Sequence, residues 1–463
     1  MLLVSCAGPG AYYQGMSRLV ATGQYSQAAD LIKESKESVY GSKNALLYCL
    51  DRGMLLQLAG HYRASNDAFE KAKSLAEDYF TKSITTEAST FLVSDNMRPY
   101  YGEDFERALV NIFCALNYVF LDQESEALVE ARQVDEFLSS LQTKYGHKSV
   151  YKEDPFARYL MGMLYENEGE INDAYISYYK ALQSYDEDAR YYGVPVPKEL
   201  LEDVWRTGQK LGFRDDLREI ERKWGRLAPA ARNPDDGEIV VIHYDGSAPV
   251  KEDTFFEIAF GKAWAYVGVI QPQGEEQAQV EQAAAIARGI LFDEQIRVAF
   301  PRYVASEYNI IGMSAQASAA DSGRVVAKNS SEEVENIGAI AVKCLEDRIA
   351  RVRVRAIARA AIKYALAQKI SQSVEESSHN EALGWLTKKV LHAASAATEL
   401  SDKRSWRSLP DRIDMVRLTV PAGTYNLRLD FSGGSGATID TKTLNNITVH
   451  PGKKTFAVVK TVS

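Results

Sequence analysis

The chain has 463 residues, 46% hydrophobic and 25% charged, with a net charge of −9. The length exceeds one common domain and the composition is that of a folded protein, so two or three domains are expected. The acidic balance excludes a general nucleic-acid binder, whose phosphate contacts would need a basic surface.

The chain opens with Met1-Leu-Leu-Val-Ser-Cys6-Ala-Gly-Pro-Gly. This resembles the end of a bacterial lipoprotein signal, which implies that Cys6 carries the lipid and that residues 1–14 are a signal remnant and tether. Acyl chains contribute roughly 0.8 kcal/mol per buried CH₂, enough in combination to hold a folded domain on a membrane. By the same resemblance, Ala7 after the cysteine implies the outer membrane.

From Gly15 to about Tyr185 one pattern is laid down four times: a helix, a tight turn, a second helix. It is clearest in Arg158 to Tyr185, where Gly169 marks the turn. Small residues at Gly162, Ala174 and Ala181 fit where two antiparallel helices touch, and Leu164, Tyr165, Tyr178 and Leu182 fill around them. The other copies turn at Gly23, at Gly60 and, in the weakest, at Asp122. Long interruptions, Thr81 to Asp104 and Thr143 to Pro155, separate them as loops. A polar capping pair is expected from Lys198 to about Trp224. The pattern resembles tetratricopeptide repeats, so residues 15–228 are expected to form a helical solenoid with a concave groove. Its inner helix, Tyr159 to Asn167, is the place to look for a partner, with Tyr118 and Tyr165 as contacts or core fillers.

Pro229 and Asn233-Pro-Asp-Asp-Gly237 make 229–237 a linker. Residues 238–463 then change character. Strands are expected within 238–327 and 413–460 and helices within 331–399, the first from Glu332 to Leu345, the next from Glu346 to Ile370 and another near Asn380 to Glu399. Alternating apolar and polar residues in the late strands describe antiparallel strands with one wet face. The fold class is therefore α+β and multidomain: a solenoid followed by an antiparallel β-sandwich-like unit with inserted helices, its early and late strands sharing a sheet.

No nucleophile elbow, Walker loop, dinucleotide fingerprint or H-E-x-x-H is present. The six histidines share no motif and the four cysteines include no C-x-x-C, so no cofactor or metal is expected. Cys49 and Cys114 lie on apolar helix faces as core thiols. Arg348 to Lys369 is a cation-rich helix; Arg351 and Arg355 could meet lipid headgroups or an acidic partner, or pair within the chain. Trp406 could fill the joint between helices and sheet or act as an interface anchor.

Taken together, Leu3-Val-Ser-Cys6, the helix pairs, Glu238 to Lys251, Val298 to Tyr303, Arg355 to Tyr364, Arg404 to Pro410 and Pro421 to Tyr425 resemble a family of bacterial tetratricopeptide-containing lipoproteins. Departures from it are the short stretch before Cys6 and the insert from Thr254 to Phe292. The resemblance implies a periplasm-facing protein of the outer membrane and carries no catalytic residues. The expected function is a non-enzymatic, membrane-tethered adaptor that takes a protein or peptide partner in its groove. The alternatives are a structural subunit of an envelope assembly or a glycan- or peptidoglycan-acting enzyme.

Overall fold

A computed structural model describes residues 9–86, 95–145, 151, 153–225, 233–269, 275–290, 293–378 and 400–462. Cys6, the Asn380 to Glu399 helix and linker residues 229–232 lie outside them. The first half consists of helix pairs: α1 (Pro9–Ala21) with α2 (Tyr25–Glu34), α3 (Ala45–Leu58) with α4 (Tyr62–Thr86), α5 (Asp104–Phe120) with α6 (Glu124–Tyr145), α7 (Pro155–Asn167) with α8 (Ile171–Tyr192), and α9 (Lys198–Leu211) with α10 (Arg214–Trp224).

The turn between partners has one recurrent geometry. Gly23, Gly60 and Gly169 have φ of 71°, 77° and 79°, and Asp122 takes the same left-handed place at 56°. Asp tolerates this conformation better than most residues with a Cβ, which is why the third pair closes without glycine. Inside the pairs, small residues set the spacing. A Cβ on Gly53 would sit 2.5 Å from the Phe69 ring, and one on Gly162 would overlap the Tyr178 ring. Both rings are buried.

The second half is built on two four-stranded sheets and a separate ribbon. The first sheet has the order β10 (Lys454–Lys460), β1 (Asp236–Asp245), β7 (Arg412–Pro421), β6 (Glu332–Asn336), and so joins the beginning and end of this half. The second has the order β5 (Val325–Ser330), β4 (Ile310–Ala319), β8 (Gly423–Gly433), β9 (Thr438–Val449). β1 pairs antiparallel with β7 but parallel with β10. The first sheet is therefore mixed, which corrects the expectation of purely antiparallel strands.

β1 explains the layering. Its residues are buried on both faces: Val240, Ile242 and Tyr244 belong to the core shared with the helices, while Ile239 and Val241 belong to the core between the sheets. A strand with no wet face reads as a continuous β-branched run, as Glu238-Ile-Val-Val-Ile-His-Tyr does. The molecule thus stacks helices, first sheet and second sheet, and one apolar cluster runs from Met16 on α1 to Met415 on β7 without a break at the linker.

A ribbon of β2 (Val250–Ala259) and β3 (Gln295–Val304), with α11 (Phe260–Ala265), α12 (Glu275–Ala287) and the middle of α13 (Ile337–Ser378), closes around its own core of Phe260, Ile296, Val298 and Ala358 to Ala365. Two expectations are corrected here. Glu332 to Asn336 is an edge strand, because Val334 is drawn into the core and β7 offers a free edge. The helix begins at Ile337, where the Asn336 Oδ1 accepts the Ala339 N–H at 2.8 Å, and runs through Leu345 without a break. No proline interrupts it to supply one.

The glycine spacers give a quantitative check. Replacing a mid-helix glycine by alanine gains about 0.8–1 kcal/mol in helix propensity, whereas overpacking costs about 1–3 kcal/mol. Against the Tyr178 ring the second effect dominates, so Gly162→Ala is expected to lower stability by about 1–2 kcal/mol, seen as a lower denaturant midpoint at unchanged slope. An unchanged or raised midpoint would refute the close-packed spacer.

Candidate functional site

The inner faces of α3, α5 and α7 do not line an open groove: the first sheet lies on them. The Tyr244 hydroxyl donates to Gln57 Oε1 at 3.0 Å, and Gln57 Nε2 donates to the Phe113 carbonyl and to Asn117 Oδ1, both at 2.9 Å. Trp406, 1% exposed, sets its ring edge-on to Phe69 and Phe113 at 5.8 and 5.6 Å. Its main-chain N–H donates to Glu106 and its indole N–H to Ser408. Trp406 therefore fills the joint between helices and sheet, and burial removes it from the candidate partner contacts.

At the α7 end the junction is ionic. The Arg417 guanidinium on β7 donates to Asp203 on α9, to Glu238 on β1 at 2.8 and 2.9 Å, and to the Tyr159 hydroxyl at 2.5 Å. Lys454 on β10 donates to Glu166 at 2.7 Å; Arg206 pairs with both Glu166 and Asp203. Three cations meet three carboxylates, all largely withdrawn from water. Burial alone would raise the Glu166 carboxyl, but Lys454 and Arg206 outweigh it and hold the group well below the usual range. Removing one member of such a lattice costs about 3–5 kcal/mol, because the remaining charges stay buried. Tyr159 to Asn167, expected to face a partner, is thus occupied by the chain's own strands.

Beside this lattice lies a group of acids without a comparable cation set. Asp188 on α8 has an unpartnered carboxylate oxygen, as has Glu335 on β6. Asp154, which caps α7 by accepting the Ala157 N–H at 2.7 Å, lies near them. Burial pushes Asp188 up to about 8, with Asp154, Glu187 and Glu153 adding to it. Burial pushes Asp154 up to about 6 against the Ala157 and Tyr151 hydrogen bonds, and raises Glu335 well above the ordinary carboxylate range.

Among the described residues, the helices leave a recess. A cavity of about 730 Å³ between α3, α4, α5 and α6 is lined by Leu46, Lys73, Arg107, Asn111, Phe137 and Leu141 among others. The Arg107 guanidinium lies over the Phe137 ring at 4.7 Å. Asn111 is 6% exposed, yet its side-chain carbonyl has no hydrogen-bond partner. An unsatisfied buried acceptor costs about 1–3 kcal/mol and is met by a donor from water or a ligand.

The sequence-derived residues do not converge on this recess. Tyr118 on α5 is partly buried; Tyr165 on α7 is buried and its hydroxyl accepts from Arg132 Nε at 2.8 Å. Arg351 and Arg355 are exposed on α13, far along the chain from both. Arg348, in the same run, is engaged internally with Glu103. Asn111 and Phe137 went unnoticed because they lie in the weakest copy. The available signal was Asn111 itself, a polar residue inside the apolar run Leu109 to Leu116.

No family model matches the chain, and no curated protein matches it. Among solved structures, the chain is similar to a kinesin light chain with nearly identical TPR-like repeats from Podosopora anserina (15% identity, TM-score 0.31, 47% of this chain and 94% of that one). It is also similar to the MamA protein (13%, TM-score 0.29, 48% and 98%) and to BtubC from P. vanneervenii (15%, TM-score 0.25, 49% and 96%).

The acid group sets a pH dependence. A carboxyl whose folded pKa lies above its unfolded value binds a proton that the unfolded chain releases, so its contribution is complete below the unfolded pKa and is lost as pH rises through the folded one. With Asp154 near 6 and Asp188 near 8, the thermal midpoint is expected to fall between pH 5 and pH 8.5, and Asp188→Asn to flatten that fall. An equally steep fall in the variant would show that Asp188 is not its source.

Proposed function

We propose that the chain is a non-enzymatic interaction scaffold of the bacterial cell envelope, held on the periplasmic face of the outer membrane through lipid on Cys6. Its partner site is the recess between α3 and α6. The observation that carries this reading is the buried, unpartnered Asn111 carbonyl in a cavity with both apolar and charged walls. The carbonyl is an acceptor waiting for an N–H, Phe137 and Leu141 offer apolar surface, and Arg107, lying over Phe137, offers charge. A peptide segment of a protein partner supplies all three complements.

A second reading, a structural subunit of an envelope assembly, is favoured by the ribbon. Phe255 and Phe256 on β2 are 42% and 48% exposed, an arrangement suited to burial against another chain.

Photo-crosslinking in cells tests the first reading. A crosslinker at Phe137 is expected to trap one discrete partner that a crosslinker at the exposed Ile176 of α8 does not, and Arg107→Ala is expected to weaken the adduct severalfold. Identical capture from both positions would dispose of the site. Light scattering separates the second reading, since a subunit of an assembly sizes above one chain at micromolar concentration. For the tether, metabolic labelling with a lipid precursor is expected to mark the protein and to vanish in Cys6→Ser; label persisting in that variant would exclude Cys6.

A further inference from the structure

One end of the β-sandwich departs from its apolar interior. His243 and Asp245 on β1 point toward the second sheet, and His243 is registered directly opposite Asp414 on β7. The imidazole is fully buried, packs on the Phe431 ring at 5.0 Å, and has Asp245 and Asp414 as buried neighbours. One donor atom from each of the three residues lies within 4.8 Å of the others.

The hydrogen bonds fix the tautomer. The Thr461 hydroxyl donates to Asp245 Oδ1 at 2.7 Å, so at 2.7 Å from His243 Nε2 its oxygen can only accept. Nε2 therefore carries a proton, with Asp245 Oδ1 3.7 Å from it, and in the neutral imidazole Nδ1 presents a lone pair to Asp414 Oδ2 at 3.3 Å. No aligned hydrogen bond reaches His243 Nδ1, Asp245 Oδ2 or Asp414 Oδ2. Two lone-pair donors facing each other out of water repel unless a cation lies between them. The nearest cation does not settle this. Arg412 Nη2 stands 2.8 and 3.3 Å from the two carboxylates, but neither it nor Nε is aligned for a hydrogen bond. Lys460 is committed to the Gly246 carbonyl at 2.7 Å.

We propose that His243, Asp245 and Asp414 bind one divalent transition-metal ion, zinc by preference, through His243 Nδ1 and one oxygen of each carboxylate. Bonds of about 2.0–2.1 Å in a tetrahedron put neighbouring donors about 3.3 Å apart, the separation found between Nδ1 and Asp414. One imidazole and two carboxylates suit zinc better than magnesium or calcium, which take a shell of oxygens. The Nε2–H to Thr461 to Asp245 chain is the outer support that a ligating histidine requires. Two carboxylates and a neutral imidazole carry a charge that a dication cancels, leaving Arg412 to turn toward Tyr308, whose ring it already overlies at 5.9 Å. The contrast with Glu70, Cys114 and Glu130 is instructive. Those donors also cluster, but Lys73 lies among them with hydrogen bonds to Glu130 at 2.9 and 3.1 Å, so that position is filled. Because the ligands come from β1 and β7 and their support from Thr461 just past β10, the ion would pin the end of the chain to the sandwich.

The test uses the whole chain, stripped with a chelator, desalted and titrated with zinc chloride against a chromophoric zinc indicator, with the thermal midpoint followed in parallel. One zinc per chain and a midpoint raised by several degrees are expected. His243→Gln and Asp414→Asn are each expected to weaken binding at least about tenfold. Arg412→Met is expected to bind zinc and to be less stable than wild type only in its absence. A wild-type chain that neither retains zinc nor changes its midpoint overturns the proposal, as does binding unaffected by both ligand variants. Should the variants fail to fold, the wild-type titration alone decides.

Discussion

Arg417 must be neutralised and hydrogen-bonded out of water, and the residues that do so come from three places that sequence separates widely: Asp203 on α9 and Glu238 on β1 supply the charge, and Tyr159 on α7 accepts a hydrogen bond. Lys454 and Arg206 extend the same lattice to Glu166. Buried ion pairs add little net stability when compared with apolar packing, but they penalise partial structures heavily, because any opening strands charge in a low-dielectric medium. Their effect is on alternatives. The sheet cannot slide or lift from the helices without leaving at least one of these groups alone, so helices and sheet settle at one relative position.

That constraint changes what the helical array is. In an open solenoid each pair contacts only its neighbours and the concave face remains available. Here Trp406, Tyr244 and Arg417 pack against the inner helices, and the apolar cluster continues from the helices into β1 and β7. The array behaves as one layer of a larger body. Most of its buried tyrosines are hydrogen-bonded: the hydroxyls of Tyr40, Tyr100, Tyr159, Tyr178 and Tyr185 have partners, whereas that of Tyr192 on α8 has none.

The local architecture was readable because its causes are local. Gly169 and Gly162 announce a turn and a close approach through chemistry confined to a few residues, and Asp122 could be placed by register. Glu238 to Tyr244 announced a strand through its β-branched run. What failed depended on distant partners. Nothing within Glu332 to Asn336 records that β7 leaves an edge for it, and nothing in Lys454 to Lys460 records a parallel neighbour 210 or more residues earlier. Tyr159 has the spacing of a core filler and of a groove residue alike, and only Arg417, 258 residues away, decides between them. The recess at Asn111 was hidden for a similar reason, since its walls come from four helices and its signal is a single polar side chain.

The cis-docked sheet also moves the functional question. With the inner face filled, a partner of the scaffold proposed above would have to dock elsewhere, and the described surface offers two places of different character. The α3–α6 recess is concave and chemically mixed, with one buried acceptor to fix orientation, and so favours a defined segment of a partner. The ribbon closes on its own small core and exposes Phe255 and Phe256, neighbours on β2 and so on opposite faces, to contact from either side. These lie on opposite sides of the lattice in sequence, the first before Tyr159 and the second between Glu238 and Arg417. Because Lys251 on β2 and Arg348 on α13 both pair with Glu103 at the start of α5, the ribbon is tied to the helices that wall the recess, and a partner at the recess and a neighbour at the ribbon would be held at a set separation. That geometry is what distinguishes a scaffold from two tethered binding modules, whose spacing would be set by the linker instead.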